Sequence, residues 1–318
     1  MYRKAVSGVL LSFLFPLLSL ACERVDLAAL RDSIERRISG VDARIGVAVI
    51  TSGGDTLEVN GAEAFPMLSV YKFPQALAVA DWCEARGILP SDTISVEPSD
   101  LPENTWSPMR DKYGSGGMEI TLAELLGYSV GQSDNNACDR LFRLIGGPAV
   151  ADSLMRAIGH PETVIASTED EMHRDLALCD INCTTPLGMA RLFDEFYRGG
   201  LCGRNPVSRE VAGIMLDCRT GLSRLPAGLA GSEASIAHKT GTGDIDSRGR
   251  IIAVNDAGFV SLPSGDSYAI AVFVSGSACG MEQTEAVIAD ISRIVFKALG
   301  EAPCRNPCPA SRRRSGAL

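Results

Sequence analysis

The stretch Met67–Pro74, MLSVYKFP, runs into Gln75–Cys83, QALAVADWC, and this segment organises the rest of the chain. The run after Pro74 is apolar on almost every side, which predicts a helix buried all round. Because proline is tolerated only in the first turn of a helix, the helix must begin just before it. Ser69 and Lys72 therefore fall at the helix start, three positions apart, where side chains share one face.

A serine hydroxyl beside a lysine amine is a candidate nucleophile and base. The hydroxyl is a weak nucleophile near neutral pH and needs an adjacent base, a role that a lysine can take when burial or a second cation lowers its pKa. The alternative is that Ser69 caps the helix and Lys72 is solvated. Spacing alone does not decide, since about one Ser-x-x-Lys is expected by chance in a chain of this length.

The start of the chain predicts export. Residues 1–21 begin with two cations and continue as a short apolar run that ends in small residues, as in a secretory signal peptide. Residues 18–22, LSLAC, resemble a bacterial lipoprotein box, so Cys22 is a candidate for lipidation; the alternative is ordinary cleavage after Ala21. Either way we expect a periplasmic protein, soluble or held at the membrane by a lipid.

Charge and cysteine content limit the function classes. The formal charge is −9, and about −15 without the cations of the signal and of the tail, so nucleic-acid binding is not expected. Ten cysteines in an oxidising compartment predict some disulfides, of unknown connectivity. A metal site is disfavoured, because there are three histidines and no Cys-x-x-Cys or His-x-x-x-His spacing.

The periodicities along the chain predict an α+β fold. A helix over 26–38 precedes a hairpin, and the long polar stretch 166–185 has no clear period, which is typical of a functional loop. Strands are predicted over 44–50, 56–60, 235–240, 251–262 and 268–275, and further helices over 122–128, 137–144, 149–158, 186–197, 208–218 and 282–299.

This pattern predicts two units. Residues 22–68 and 217–301 form an α/β sandwich, and residues 69–216, which include the long loop, form an all-helical unit. The buried helix begins where they meet, a usual place for a site. Residues 302–318, rich in proline, serine and arginine, are predicted to be a disordered tail.

Two more short motifs follow in order, Ser133-Asp134-Asn135 and Lys239-Thr240-Gly241. With Ser69-x-x-Lys72 they make the ordered set that marks class A β-lactamases and penicillin-binding proteins. From about residue 26 to residue 299 the chain resembles class A serine β-lactamases. The runs that are similar to the branch of PER-type and CfxA-type enzymes are Thr105–Pro108, Tyr128–Asn135, Thr168–His173 and His238–Thr242.

The resemblance implies a β-lactamase/transpeptidase-like fold with an antiparallel sheet flanked by helices. It also implies hydrolysis of the β-lactam amide through an acyl-serine, without metal or organic cofactor, by a monomer. The branch suggests that cephalosporins are better substrates than penicillins.

The resemblance also assigns roles. Ser69 would be the nucleophile and Lys72 a base, and Ser133 would pass a proton to the leaving nitrogen. Lys239 would supply positive charge that helps keep Lys72 neutral, and the N–H groups of Ser69 and Thr242 would stabilise the oxyanion.

Further positions would bind substrate. Asn135 corresponds to a donor to the substrate amide, and Gly241 would let the substrate lie close to the strand. Trp106 would stand at the rim of the site, with a core tryptophan as the alternative. Asp134 is expected to be a structural hydrogen-bonding group.

Glu169 is the residue that decides between an enzyme that turns over and a protein that stays acylated. Acylation alone would give a penicillin-binding DD-peptidase or a β-lactam-sensing module, whereas turnover needs a base that drives water onto the acyl-enzyme. Glu169 stands seventeen residues before Pro186, as the family's loop requires, and favours the enzyme. The alternative for Glu169 is a solvated loop acid.

The loop departs from the family in two ways. His173 replaces the asparagine that shares the deacylating water, as in the PER-type branch; a surface histidine is the alternative. The arginine–aspartate pair that ties the loop ends would fall at Ser167 and Asn182 and is absent. Cys179 and Cys183 could supply a replacement tether.

The substrate carboxylate needs a cation in an acidic protein. Thr240 and Thr242 offer hydroxyl groups. Arg224 matches the branch's arginine, and Arg248, at the spacing of other class A enzymes, is its rival.

Overall fold

The computed structural model describes residues 25–300. The predictions for the signal peptide, for Cys22 and for the tail that holds Cys304 and Cys308 concern residues outside this range. Within them no helix is long and apolar enough to span a bilayer.

Nine strands and eleven α-helices make up this part of the chain. The strands are β1 Arg44–Thr51, β2 Thr56–Val59, β3 Phe65–Pro66, β4 Thr93–Val96, β5 Met118–Thr121, β6 Cys183–Thr184, β7 Ser235–Thr242, β8 Ile251–Ser261 and β9 Ser267–Ser277. The helices are α1 Leu27–Ile38, α2 Lys72–Glu84, α3 Pro108–Tyr113, α4 Leu122–Leu126, α5 Asn135–Ile145, α6 Pro148–Ala157, α7 Glu169–Arg174, α8 Pro186–Tyr197, α9 Pro206–Leu216, α10 Leu225–Gly228 and α11 Met281–Gly300.

Both ends of the described chain build one five-stranded antiparallel sheet, in the order β2-β1-β9-β8-β7. Side chains alternate between its faces because successive residues of a strand point to opposite sides. On β9, Ile270 and Val272 join the core formed with α1, α10 and α11, whereas Ala271 and Phe273 join the core on the side of the other helices. The α+β fold with an antiparallel sheet flanked by helices is confirmed.

Helix α2 runs through the centre of the helical layer. A 3₁₀ turn, Leu68–Tyr71, leads into it, and Pro74 is its third residue, within the first turn as predicted. Ten of its thirteen residues are buried. The ring of Phe73 packs at a tilt against that of Phe193 of α8, with 4.3 Å between the ring centroids. This contact fixes the start of α2 against a helix that lies on the sheet.

Short elements were missed. The antiparallel pair of β4 and β5 has strands of four residues, and α7, inside the stretch predicted to be an irregular loop, has six. Such elements hold too few residues for a periodicity to emerge. Helix α7 is defined by its cap instead, since Thr168 and Glu171 form a capping box.

The expectation of disulfides is wrong for the seven cysteines between residues 25 and 300, which are all free thiols. Two of the sulfur atoms contact hydroxyl groups. Cys138 contacts the hydroxyl of Tyr71 at 3.3 Å, and Cys218 contacts that of Thr220 at 3.2 Å.

Candidate active site

Ser69 and Lys72 lie together at the start of α2. Lys72 Nζ, fully buried, donates to Ser69 Oγ at 3.0 Å, to Asn135 Oδ1 at 2.7 Å and to the carbonyl of Ser133 at 2.9 Å. The reading of Lys72 as a solvated charge is therefore wrong. Leu68, just before the serine, has a φ of 46°, a left-handed conformation that is strained for a branched side chain.

Ser133 and Lys239 form the opposite wall. Lys239 Nζ donates to Ser133 Oγ at 2.9 Å, and Ser133 itself has a φ of 59°. The Lys239 side chain is fully buried on β7. Burial, and then the positive charge of Lys72, lower the pKa of Lys239 to about 7.

Glu169 reaches the same group of side chains from α7. Its Oε1 lies 2.9 Å from Lys72 Nζ and accepts from Ser69 Oγ at 3.3 Å. Only 12% of its side chain is exposed, so it is not a solvated loop acid.

Asp139 of α5 fixes the position of Glu169. Its two carboxylate oxygens accept from the backbone N–H groups of Glu169 at 2.8 Å and Asp170 at 2.9 Å, which holds the start of α7. Burial, and then the negative charge of Glu169, raise the pKa of Asp139 to about 6.

Asn182 ties the two ends of the long loop. Its Oδ1 accepts from the N–H groups of Ala166 at 2.8 Å and Ser167 at 2.9 Å, and its Nδ2 donates to the carbonyl of Ser167 at 2.8 Å. The proposed tether of Cys179 and Cys183 is wrong, because both are free. One buried amide can satisfy several backbone groups at once and replaces the missing ion pair.

Asn135, Trp106 and His173 surround the mouth of the site. Asn135 connects Lys72 to the far wall, since its Nδ2 donates to Thr105 Oγ1 at 2.9 Å. Trp106 is 62% exposed and is not a core residue. His173, on the surface, lies with Nε2 2.9 Å from Asn104 Nδ2.

The end of β7 closes the site. Thr240 Oγ1 is 2.7 Å from Thr220 Oγ1. A Cβ on Gly241 would lie 2.4 Å from the carbonyl of Met67, so this glycine lets the strand approach the turn that carries Ser69. Close approach of backbone is therefore one reason for the glycine, and close approach of substrate stays a prediction.

The two candidate arginines differ in place. Arg224, 4% exposed, donates from Nη2 to Thr242 Oγ1 at 2.7 Å and from Nε to Glu285 at 3.0 Å. Arg248 is largely exposed and pairs with Asp246 at 2.9 Å.

These walls line two adjoining clefts that are open to solvent. Leu68, Trp106, Asn135, Glu169 and Thr242 line both. The first is also lined by Ser69, Ser133, Thr220, Gly221, Arg224 and Thr240, and the second by His173. Among residues 25–300 no three His, Cys, Asp or Glu side chains are grouped as metal ligands.

A serine beside two buried lysines and a carboxylate, at the mouth of a cleft between a sheet and a helical layer, defines a serine hydrolase that works through an acyl-enzyme. The model of the β-lactamase enzyme family matches residues 29–299. The chain therefore belongs to that family, and it is a class A serine β-lactamase.

Similar proteins agree with this assignment. A β-lactamase of Bacteroides uniformis is 35% identical over 90% of this chain and 96% of its own. The extended-spectrum β-lactamase PER-1 of Pseudomonas aeruginosa is 34% identical over 84% of this chain and 86% of its own. The crystal structure of the TLA-3 extended-spectrum β-lactamase has a TM-score of 0.83 and 36% identity, and it covers 86% of this chain and 99% of that chain.

The sequence analysis did not predict that Asp139 holds the start of α7. It mentioned Asn182 only as a position where the family's loop-end ion pair is absent. An acid on the buried side of the amphipathic α5 was the available signal for the first. No sequence signal pointed to the role of Asn182, because its side-chain amide bonds backbone groups, which every residue carries.

Proposed function

We propose that Ser69 attacks the carbonyl carbon of a β-lactam while its proton passes to the pair formed by Lys72 and Glu169. The observation that carries this proposal is that both groups lie within 3.3 Å of Ser69 Oγ. As the C–N bond breaks, the ring nitrogen takes a proton from Ser133. Because Ser133 Oγ accepts from Lys239, its own proton is free to be donated.

Glu169 then acts a second time, as the general base for hydrolysis. It removes a proton from water, and the water oxygen attacks the acyl carbonyl. The bond between the carbonyl carbon and Ser69 Oγ then breaks, and Ser69 Oγ regains a proton from the pair of Glu169 and Lys72, which lie within hydrogen-bond distance. The N–H groups of Ser69 and Thr242 stabilise the oxyanion in both steps. His173 lies four residues along the same helix and borders the same cleft, which supports a role beside the deacylating water.

Arg224 binds the substrate carboxylate together with Thr240 and Thr242. The geometry supports Arg224 over Arg248, because only the former lines the cleft of Ser69. Asn135 donates a hydrogen bond to the substrate amide. Trp106 packs on the exposed side of the substrate. We expect Arg224→Lys to raise KM more than it lowers kcat, and Arg248→Ala to change neither.

We further propose that the protein is an exported monomer, that a lipid at Cys22 anchors it, and that it favours cephalosporins. The relatives PER-1 and TLA-3 are named extended-spectrum enzymes, which supports the last point. Intact mass of protein from membrane and periplasmic fractions, with and without Cys22→Ala, tests the anchor.

Turnover of a chromogenic cephalosporin by the mature protein, with intact mass on the same sample, tests the mechanism. We expect many turnovers and little remaining adduct. One equivalent consumed with a lasting adduct would overturn the role of Glu169.

A further inference from the structure

The middle of strand β8 carries a buried asparagine. Asn255 has no exposed surface, and Ala253 and Ala257, its neighbours on the same face of the strand, belong to the core on the side of the helices. A polar side chain in such a place is stable only when its groups are hydrogen-bonded. The partners of Asn255 therefore indicate what this residue does.

The partners of this side chain are backbone groups. Its Nδ2 donates to the carbonyl of Pro66 at 2.8 Å and to that of Met67 at 3.1 Å, and its Oδ1 accepts from the N–H of Val274 on β9 at 3.2 Å. An amide nitrogen carries two hydrogens, and here both bind the turn that precedes Ser69. Asn255 thus ties the sheet to the turn that carries the nucleophile.

That turn is strained and needs support. Leu68, between Met67 and Ser69, has a φ of 46°, a conformation that persists only when the surrounding structure imposes it. The residue before it is held at both of its backbone groups. The N–H of Met67 donates to the carbonyl of Asn182 at 2.8 Å, and the carbonyl of Met67 accepts from Asn255. Asn255 is therefore one of the groups that impose the strained turn.

Asn255 also sets where the turn lies against β7. It pairs with Gly241 in the register of β7 and β8. Because a Cβ on Gly241 would lie 2.4 Å from the carbonyl oxygen of Met67, this oxygen lies against the backbone of Gly241 while it is bonded by Asn255. The amide and the glycine together fix the distance between the turn and the strand.

The two proposed oxyanion donors lie next to this contact. The N–H of Ser69 comes two residues after Met67, and the N–H of Thr242 comes one residue after Gly241. Such donors act only when both lie about 2.7–3.1 Å from the developing oxyanion. Since one belongs to the turn and the other to β7, their spacing depends on how the turn and the strand are held together.

We propose that Asn255 is a positioning residue that sets the spacing of the two oxyanion donors by holding the Met67 carbonyl against β7. Because its side chain is fully buried, it acts through the N–H groups of Ser69 and Thr242 and not by contact with substrate. This inference rests on the proposed acyl-enzyme mechanism.

The first test measures the hydrogen bonds to the acyl carbonyl by infrared spectroscopy. In Glu169→Ala the acyl-enzyme should accumulate, and an isotope label in the β-lactam carbonyl identifies its stretching band. Stronger hydrogen bonds to a carbonyl lower the frequency of this band. Addition of Asn255→Leu, which keeps a side chain of similar size but removes the donors, should raise the frequency. A band that stays in place would overturn the role of Asn255.

Asn205→Ala, in the same Glu169→Ala background, is the matched control. It also removes a buried asparagine that donates to a backbone carbonyl, that of Ala80 at 3.3 Å, in the second half of α2. We expect this variant to lose stability and to keep the band in place. An equal shift in Asn205→Ala would mean that loss of stability alone moves the band, and would overturn the assignment.

Asn255→Asp is the conservative variant. An ionised carboxylate has no hydrogen to donate to the Met67 carbonyl, whereas the protonated acid donates one hydrogen bond. In the Glu169→Ala background its band should therefore return toward the original frequency as the pH is lowered, and the band of Asn255→Leu should not. A band of Asn255→Asp that at no pH comes nearer to the original than that of Asn255→Leu would contradict the proposal.

Pre-steady-state kinetics in the otherwise wild-type enzyme give a second readout. Because the oxyanion forms in both acylation and deacylation, Asn255→Leu should slow both steps by a similar factor, up to about 10². The backbone carbonyl of Asn255, to which Arg224 Nη1 donates at 3.0 Å, remains in the variant, so we expect a smaller change in KM than in kcat. Slowing of only one step would argue against a role at the oxyanion donors.

Should Asn255→Leu fail to fold, Gly241→Ala tests the same contact from the side of β7. Its methyl group would push on the Met67 carbonyl, so the band in the Glu169→Ala background should again rise in frequency, and an unshifted band would overturn the proposal. Absence of any acyl band in Glu169→Ala alone would instead contradict the proposed acyl-enzyme mechanism.

Discussion

The two sides of the active site are held in place in different ways. Ser69 and Lys72 belong to a helix buried in the core, whose start is fixed by aromatic packing around Phe73. Glu169 belongs to a six-residue helix within a long loop, and the side chains of Asp139 and Asn182 hold that loop by hydrogen bonds. Apolar packing places the nucleophile, whereas a few polar contacts place the deacylating base.

This difference indicates that the two chemical steps can be impaired separately. A fully buried aromatic side chain contributes about 1.5–3 kcal/mol, and many such contacts surround α2. A hydrogen bond contributes about 0.5–1.5 kcal/mol, and the loop depends on a handful of them. We therefore expect changes in the loop to slow deacylation before they affect acylation.

Ser69→Ala should have the largest effect. Without the hydroxyl no acyl-enzyme can form, so kcat/KM should fall by at least about 10⁴ and no adduct should appear in the mass spectrum. Residual turnover through an adduct on another residue would show that the nucleophile is misassigned.

Glu169→Ala should remove turnover alone. We expect kcat to fall by about 10²–10⁴, with one equivalent of acyl-enzyme accumulating in a burst. The control is Asp170→Asn, the next residue, whose side chain pairs with Arg174 at the surface, 2.6 Å away, and which should keep wild-type turnover. Undiminished turnover in Glu169→Ala would refute its role.

Asn182→Ala should loosen the loop without touching the nucleophile. Loss of three hydrogen bonds should lower the free energy of unfolding by about 2–4 kcal/mol and lower kcat about tenfold, with the acylation burst retained. Denaturant melts and pre-steady-state kinetics measure both quantities. A disulfide-reducing agent is the control and should change nothing, and a burst lost in step with turnover would contradict the separation.

Asp139→Asn should give the smallest effect, as a dependence on pH. The raised pKa of about 6 means that, between about pH 4 and 6, folded wild type keeps a proton that the unfolded chain releases. Wild-type stability therefore falls as pH rises through this window, and Asn does not titrate.

The stability of Asp139→Asn relative to wild type should accordingly rise by about 1–3 kcal/mol through that window and stay level above about pH 7. Thermal or denaturant melts of both proteins across the range provide the measurement. A pH-independent difference would mean that the carboxyl group is not perturbed.

Local patterns predicted the regular parts of the molecule well. The apolar run after Pro74 gave the buried helix, and the apolar run 268–275 gave the central strand β9, because elements that are buried on every side carry apolar residues throughout. The six-residue α7 escaped this reasoning, since its limits depend on the capping of Thr168 and on the carboxylate of Asp139 thirty residues earlier in the chain.

The sequence by itself determined the layered α+β fold and the order of the three motifs, because both follow from patterns among residues close together in the chain. Only the tertiary structure decided that Asn182 ties the loop and that Gly241 makes room for backbone. Each of these depends on contacts between residues far apart in the chain, whose distances and burial no local pattern contains.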